Sequence, residues 1–171
     1  MKKILIADDA EFNRDILKEI FSEQYEVLEA ENGEEAVRCI RENFESLSLI
    51  FLDLMMPKMN GLQVLEGMKE EGYLELIPVI IITGEATVDT DVAAYDYGVA
   101  DIIYKPFSRR VITRRALNII ELYERRRNLE LQLDETTAEL LASRKKLAEN
   151  NEFLVNALSS VVEFRSLESG I

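Results

Sequence analysis

Histidine is absent from this chain of 171 residues, and Cys39 is its single cysteine. Without histidine, the chain has no phosphorylatable histidine and no metallohydrolase site that depends on histidine ligands. A single cysteine excludes an internal disulfide bond. Cys39 lies among Ala36, Val37 and Ile40, so we expect it to pack as a small apolar side chain.

Long apolar runs are also missing. No segment approaches the roughly 20 apolar residues that a membrane-spanning helix needs. The acidic pair Asp8-Asp9 interrupts the first apolar run too early for a secretory signal peptide. We therefore expect a cytoplasmic protein with no membrane partner.

Basic residues are scarce in the first part of the chain. Up to Phe107 there are 9 Lys and Arg against 23 Asp and Glu, whereas from Ser108 onward there are 11 against 10. Because an acidic surface repels phosphate backbones, we expect no nucleic-acid partner there. The basic clusters at 109–110, 114–115 and 125–127 are expected to form a solvated helix face.

Short apolar runs alternate with helical patterns over the first 107 residues. The predicted strands are Lys3–Ala7, Tyr25–Ala30, Leu47–Asp53, Pro78–Thr83 and Ala100–Lys105. The predicted helices are Glu11–Phe21, residues 32–44, Gly61–Glu70 and a weaker one that ends near Tyr97. This alternation predicts parallel pairing, right-handed crossovers and helices on both faces. The predicted fold is α/β, a five-stranded, parallel, doubly wound sheet of the flavodoxin-like type.

Reactive side chains follow four of the predicted strands at their carboxyl ends. They are Asp8-Asp9, Asp53, Thr83 and Lys105. The carboxyl ends of parallel strands share one edge of the sheet, where open α/β folds bind their ligands. Carboxylates brought together there repel one another unless a cation compensates, and their oxygen atoms favour Mg²⁺. We therefore expect Asp53 to accept a phosphoryl group, with the Thr83 hydroxyl and the Lys105 ammonium beside it.

Each of these residues also has an ordinary structural explanation. Asp9 is of a type favoured at helix N-caps, Thr83 is a common strand residue, and Lys105 is a typical surface charge. Their joint placement at strand ends favours the functional interpretation. An aspartyl-phosphate phosphatase would need a second acid two residues after the nucleophile, where this chain has Met55.

These motifs resemble the receiver domain of two-component response regulators over residues 1–120. The resemblance is carried by Asp8-Asp9, residues 53–61 (DLMMPKMNG), Thr83-Gly84 and Lys105-Pro106-Phe107. It implies that Asp53 accepts a phosphoryl group from a sensor histidine kinase. It also implies that Mg²⁺ is held by Asp9, Asp53 and the Met55 main-chain carbonyl, with Asp8 bound through water. Such a domain is not an enzyme beyond assisting its own phosphorylation and dephosphorylation.

The sequence departs from the receiver pattern at one position. The resemblance implies that Thr83 and Lys105 sense the phosphoryl group, and many receivers relay the change through an aromatic residue three positions before that lysine. Here this position is Ile102, and the aromatic residue is Tyr104. Strand alternation places both on one face. We expect the signal to pass more directly into the long helix that follows.

Glycine and proline are absent between Phe107 and Ser169, and a heptad register runs through this stretch. The a positions are Ile112, Ile119, Arg126, Leu133, Leu140, Leu147, Leu154 and Val161. The d positions are Arg115, Leu122, Leu129, Thr136, Ser143, Asn150, Ala157 and Phe164. The apolar majority predicts a coiled-coil homodimer, with residues 121–152 as its dimerisation and signalling helix. Opposite charges at g and the following e position, Arg125 with Glu130 and Glu139 with Arg144, are compatible with a parallel arrangement. A helix on the order of 85 Å long is too long to fold back on the receiver.

Residues 153–171 resemble the first helix of HD-GYP-type cyclic di-GMP phosphodiesterases. The resemblance is carried by Val162-Glu163-Phe164-Arg165 and the following Glu168-Ser169-Gly170. It implies that a C-terminal output domain of this type begins here, as the front of a longer regulator. The alternative is a free-standing receiver that acts as a protein-interaction module through its long helix.

Overall fold

A computed structural model describes residues 2–84 and 88–168 of the chain. Its strands are β1 (Lys3–Ala7), β2 (Glu26–Ala30), β3 (Leu47–Leu52), β4 (Val79–Thr83) and β5 (Asp101–Tyr104). Its helices are α1 (Glu11–Phe21), α2 (Gly33–Asn43), α3 (Gly61–Glu70), α4 (Val88–Asp96) and α5 (Arg109–Glu168), with a 3₁₀ turn at Tyr73–Glu75. The chain divides into two compact units, one that ends at Arg125 and one that begins at Arg126.

The strands form one parallel sheet in the order β2-β1-β3-β4-β5, which confirms the predicted doubly wound α/β fold. Strand order reverses between β1 and β3, and this is where such sheets bind ligands. Because side chains alternate between faces, each central strand contributes to two hydrophobic cores. Leu5 and Ile50 pack with α2, α3 and α4, whereas Ile4 and Phe51 pack with α1 and the first turns of α5.

The ends of two strands determine where the reactive side chains lie. The prediction extended β3 to Asp53 and β5 to Lys105, but both residues occupy the first loop position after the strand. Each keeps one main-chain hydrogen bond to the neighbouring strand. The Asp53 N–H donates to the Ala7 carbonyl at 2.8 Å, and the Lys105 N–H donates to the Thr83 carbonyl at 2.8 Å. These bonds hold both residues at the sheet edge.

Asparagine side chains begin two of the helices. Asn32 caps α2, and Asn60 forms a capping box with Gln63 at the start of α3. Helix α1 differs, because its N-cap is Ala10, which makes no side-chain cap hydrogen bond. The alternative in which Asp9 serves as an N-cap is therefore wrong, and its carboxylate is not used to begin α1.

The first turns of α5 belong to the core of the receiver. Ile112, Ala116 and Ile120 are buried against the sheet, and Ile119 packs beside them. The heptad prediction had placed Ile112 and Ile119 in a seam with a second chain, and this part of it is wrong. A helix that packs on a sheet and a helix that packs on its twin have nearly the same apolar period. A seam with a second chain therefore cannot begin before Leu122.

In the unit that begins at Arg126, apolar heptad side chains are exposed. They are Leu129, Leu133, Leu140, Leu147, Leu154 and Val161, which are between 56% and 69% exposed. The Phe164 side chain and residues 169–171, part of the predicted start of an output domain, lie outside the described part of the chain. None of the helices in the described ranges combines the length and hydrophobicity that crossing a membrane requires.

Candidate active site

The carboxylates of Asp8, Asp9 and Asp53 meet at the carboxyl edge of the sheet. Asp8 and Asp9 follow β1, Asp53 follows β3, and these two strands are hydrogen-bonded neighbours. One carboxylate oxygen from each residue lies within 4.8 Å of the others. Asp8 and Asp53 are buried, whereas Asp9 is exposed. The predicted acidic cluster therefore exists, and its hard oxygen donors suit a divalent cation such as Mg²⁺.

The Lys105 ammonium reaches this cluster from the end of β5. Its Nζ lies 2.7 Å from Asp8 Oδ2 and also contacts Asp53 Oδ2. Burial by itself lowers the pKa of Lys105, but the hydrogen bonds to Asp53 and Asp8 outweigh it and raise the pKa above the ordinary lysine value. Lys105 therefore remains protonated and supplies positive charge between two buried carboxylates.

Asp53 combines burial with two hydrogen bonds. Its Oδ1 accepts the Met55 N–H at 3.1 Å, and its Oδ2 accepts from Lys105. Burial raises the pKa of the Asp53 carboxyl above its ordinary value, against the opposing effects of Lys105 and the Met55 N–H. Asp53 is therefore a buried carboxylate whose negative charge is compensated by the Lys105 ammonium and the Met55 N–H.

Thr83 and Met55 complete the set of predicted site residues. Thr83 ends β4, which lies between the strands that carry Asp53 and Lys105, and its side chain is buried. Its position at the same sheet edge agrees with the prediction. Met55 contributes its N–H to Asp53, whereas the role of its carbonyl as a metal ligand stays a prediction.

A comparison with protein families decides what kind of domain this is. The family model of the response regulator receiver domain matches residues 4–117. The chain belongs to this family. Its first unit is therefore the receiver domain of a response regulator, a part of phosphorylation-based signalling, and its sheet has the CheY-like order.

Two curated relatives and one solved structure extend the comparison. The chain is 28% identical over 167 residues to a probable cyclic di-GMP phosphodiesterase of Vibrio cholerae, covering 98% of this chain and 37% of that protein. It is 37% identical over 114 residues to the transcriptional regulatory protein SrrA of Staphylococcus aureus, covering 66% of this chain and 45% of SrrA. A CheY-like receiver domain protein from Methanospirillum hungatei matches with a TM-score of 0.66 and 28% identity, covering 74% of this chain and 98% of that one. The chain thus spans less than half the length of both curated relatives.

The loop after Asp53 is held by a glycine whose role the sequence analysis missed. The Gly61 N–H donates to the Leu54 carbonyl at 2.9 Å. A Cβ added at Gly61 would lie 2.4 Å from the Asp53 carbonyl oxygen and 2.8 Å from Leu54 Cα. The receiver therefore needs glycine here because the start of α3 packs directly on the main chain of Asp53.

Helix α1 contributes two further residues that the sequence analysis missed. Asn13 Nδ2 donates to both carboxylate oxygens of Asp8 at 3.1 Å. Arg14 is buried and donates to main-chain carbonyls of the acidic loop. One signal in the sequence was available, since Arg14 lies three residues before Leu17 and seven before Phe21, on the buried face of α1.

Ile102 and Tyr104, where the sequence departs from the receiver pattern, have different surroundings. Ile102 is buried in the core with α2 and α3, whereas Tyr104 is 39% exposed. The Tyr104 hydroxyl donates to Asp91 Oδ2 on α4, and this hydrogen bond raises the pKa of Tyr104 to about 12. The aromatic side chain next to Lys105 is therefore hydrogen-bonded to α4.

Proposed function

We propose that Asp53 is the phosphoacceptor of this receiver domain and that a sensor histidine kinase is its phosphodonor. The observation that carries the proposal is the convergence of Asp8, Asp9, Asp53 and Lys105 at one sheet edge. Asp8 and Asp53 both contact Lys105, but Asn13 also donates to both carboxylate oxygens of Asp8, so we assign Asp53 as the nucleophile. A carboxylate oxygen of Asp53 attacks phosphorus while the bond from phosphorus to the donor nitrogen breaks.

The donor atoms fit Mg²⁺, since the cluster offers carboxylate oxygens on neighbouring strand ends. Asp9 and Asp53 would hold the ion with the Met55 main-chain carbonyl, and Asp8 through water. When bound, Mg²⁺ neutralises charge on the phosphoryl oxygens. The chain's own residues orient the reaction. Lys105 stabilises negative charge beside Asp53, and the Thr83 hydroxyl donates to a phosphoryl oxygen.

A protein surface beside the site supports a protein phosphodonor. A cavity of about 440 Å³ lies next to Lys105 and is lined in part by Phe12, Ile16, Pro106 and Phe107. Phe12 is 74% exposed although it is a large apolar side chain. Exposed apolar surface of this kind commonly marks a protein interaction site.

The long helix carries the second part of the proposal, a parallel homodimer. In this proposal residues 1–120 form the receiver, residues 121–152 form the dimerisation and signalling helix, and residues 153–171 begin the output domain. The exposed leucines at a positions, such as Leu133, Leu140 and Leu147, supply the apolar seam. Burial of each such side chain contributes about 1.5–3 kcal/mol to association.

Similarity beyond the receiver supports an output domain of the HD-GYP cyclic di-GMP phosphodiesterase type. The alignment with SrrA spans 114 residues, about the length of the receiver. The alignment with the Vibrio cholerae phosphodiesterase spans 167 residues and so includes the long helix. The relative that shares the helix is thus the phosphodiesterase, which supports this output over a transcriptional one.

Labelling with a small phosphodonor tests the phosphoacceptor. The chain is incubated with acetyl phosphate and Mg²⁺, and the phosphoryl adduct is quantified by intact-protein mass spectrometry. We expect Asp53→Asn to abolish the adduct because an amide cannot act as the nucleophile. Asp15→Asn is the matched control, since Asp15 is an exposed aspartate on α1. An undiminished adduct in Asp53→Asn would show that the phosphoacceptor is another residue.

A further inference from the structure

A buried cation lies on the face of α1 that packs against the sheet. Arg14 is 6% exposed and shares this face with Leu17 and Phe21. A buried guanidinium is costly unless its donors are satisfied, so its hydrogen bonds indicate why it is there. In a helix face that otherwise buries apolar side chains, a simple packing role would be met by leucine or methionine.

The guanidinium of Arg14 bonds mainly to the loop that carries the acidic pair. Its Nη1 donates to the main-chain carbonyl of Asp8 at 2.8 Å and lies 3.3 Å from that of Asp9. Its Nη2 pairs with Glu31 at 3.2 Å, and its Nε lies 3.6 Å from Glu29. Within the described residues, the buried Nε makes no hydrogen bond. The hydrogen-bonding geometry is thus best toward the carbonyls and poorest toward Glu29.

Neutralising the carboxylates of Glu29 and Glu31 does not by itself explain why an arginine is buried at position 14. Glu29 already has a second cationic partner, because Lys18 on the next turn of α1 donates to its carboxylate. Glu31 is largely exposed, with 70% of its side chain in solvent, so its pairing with Arg14 is weak. The hydrogen bond from Nη1 to the Asp8 carbonyl is buried, whereas the contact between Nη2 and Glu31 is only partly buried.

We propose that Arg14 is a positioning residue for the metal and phosphoryl site, and this rests on the proposed function. One guanidinium nitrogen, Nη1, clamps two consecutive carbonyls, and the rigid planar group fixes where that nitrogen lies. Asn13 holds the Asp8 carboxylate directly. Asp9 is exposed, so the direction of its carboxylate depends on the main chain that Arg14 holds. Arg14 thereby keeps the Asp9 carboxylate turned toward Asp53.

The direction in which a substitution of Arg14 changes the Mg²⁺ affinity distinguishes a positioning role from a purely electrostatic one. Removing a positive charge near a cation site strengthens Mg²⁺ binding by Coulomb's law. Loss of positioning weakens it, and removing a group that orients metal ligands typically costs 10–100-fold in affinity. We expect Arg14→Met to weaken Mg²⁺ binding about tenfold, measured by isothermal titration calorimetry on the full chain. Arg14→Lys keeps the charge but replaces the rigid planar group with a flexible stem, so we expect a smaller loss in the same direction.

Two controls address charge and stability. Arg115→Met removes an arginine that pairs with Asp101, at the other end of β5 from the site, and is expected to leave Mg²⁺ affinity near wild type. The double variant Glu29→Gln, Glu31→Gln removes the acidic partners of Arg14 and keeps the carbonyl bonds. We expect it to lose less than threefold in affinity, because its acidic loop stays clamped. Labelling by acetyl phosphate at saturating Mg²⁺ should recover in Arg14→Met, since the defect lies in Mg²⁺ affinity.

Unchanged or tighter Mg²⁺ binding in Arg14→Met would overturn the inference, as would an equal loss in the glutamine double variant. Asp9→Ala is measured in parallel. If Asp9→Ala weakens binding and Arg14→Met does not, only the role of Arg14 fails. If Asp9→Ala leaves the affinity unchanged, the metal-site assignment itself fails and the role of Arg14 falls with it.

Discussion

Replacing Gly61 by alanine should damage the site through the main chain alone. The added Cβ would lie 2.4 Å from the Asp53 carbonyl oxygen, whereas unstrained contacts between such atoms need about 3.5 Å. The start of α3 and the end of β3 must therefore separate by about 1 Å. The same movement stretches the 2.9 Å hydrogen bond from the Gly61 N–H to the Leu54 carbonyl.

The expected cost follows from these contacts. Overpacking against a fixed main chain costs about 1–3 kcal/mol, and losing the hydrogen bond costs about 1 kcal/mol. Alanine recovers about 0.5–1 kcal/mol because it restricts the unfolded chain more than glycine does. We therefore expect Gly61→Ala to lower the free energy of unfolding by about 1–3 kcal/mol and to slow phosphorylation of Asp53.

The same helix offers a matched control. A Cβ added at Gly67 on α3 would meet no atom within 4 Å, so Gly67→Ala should raise the free energy of unfolding by about 0.5–1 kcal/mol. Urea denaturation followed by tyrosine fluorescence measures both variants. The chain has no tryptophan, and its six tyrosines lie between Tyr25 and Tyr123, so the signal reports the receiver. If Gly61→Ala were as stable as Gly67→Ala, the close approach to Asp53 would not constrain the loop.

Two further predictions concern the charge balance of the site and the long helix. Lys105→Met removes a hydrogen bond that lowers the pKa of Asp53, so that pKa should rise further. As the pH is lowered, labelling of this variant should therefore be lost at a higher pH than labelling of the wild type. A carboxyl titration of the metal-free protein by NMR that gives a lower pKa would contradict this. Leu140→Glu should weaken a coiled-coil dimer by more than about a hundredfold, since two buried leucines are lost. Leu141→Glu, at the neighbouring position outside the seam, should not; equal dissociation of both variants in sedimentation equilibrium would rule out the predicted register.

The clearest sequence predictions concern periodic elements and the tips of strands. Each of the five predicted strands became a parallel strand. The inner strands β1, β3 and β4 are almost wholly apolar because both of their faces are buried. Asp53 could be assigned to the carboxyl edge of the sheet because it directly follows such an apolar run. The register of β1 against β3 then brings it beside Asp8.

Ile112 shows where periodicity alone was misleading. Its heptad position indicated a seam with a second chain, but it is buried in the receiver core. The apolar period of a helix records that one face is covered and does not record what covers it. The 3₁₀ turn at Tyr73–Glu75 was likewise not predicted, since a single turn carries no period.

By itself, the sequence determined the order of strands and helices, the parallel sheet and the set of acidic and basic residues at its carboxyl edge. These follow from local periodicity and from the rules of strand connection. The tertiary structure alone decided which contacts hold that edge in place. The clamp of Arg14 on the Asp8 and Asp9 carbonyls and the approach of Gly61 to Asp53 both act on main-chain atoms, which every residue has. Such contacts depend on three-dimensional packing, and residue type gives little sign of them.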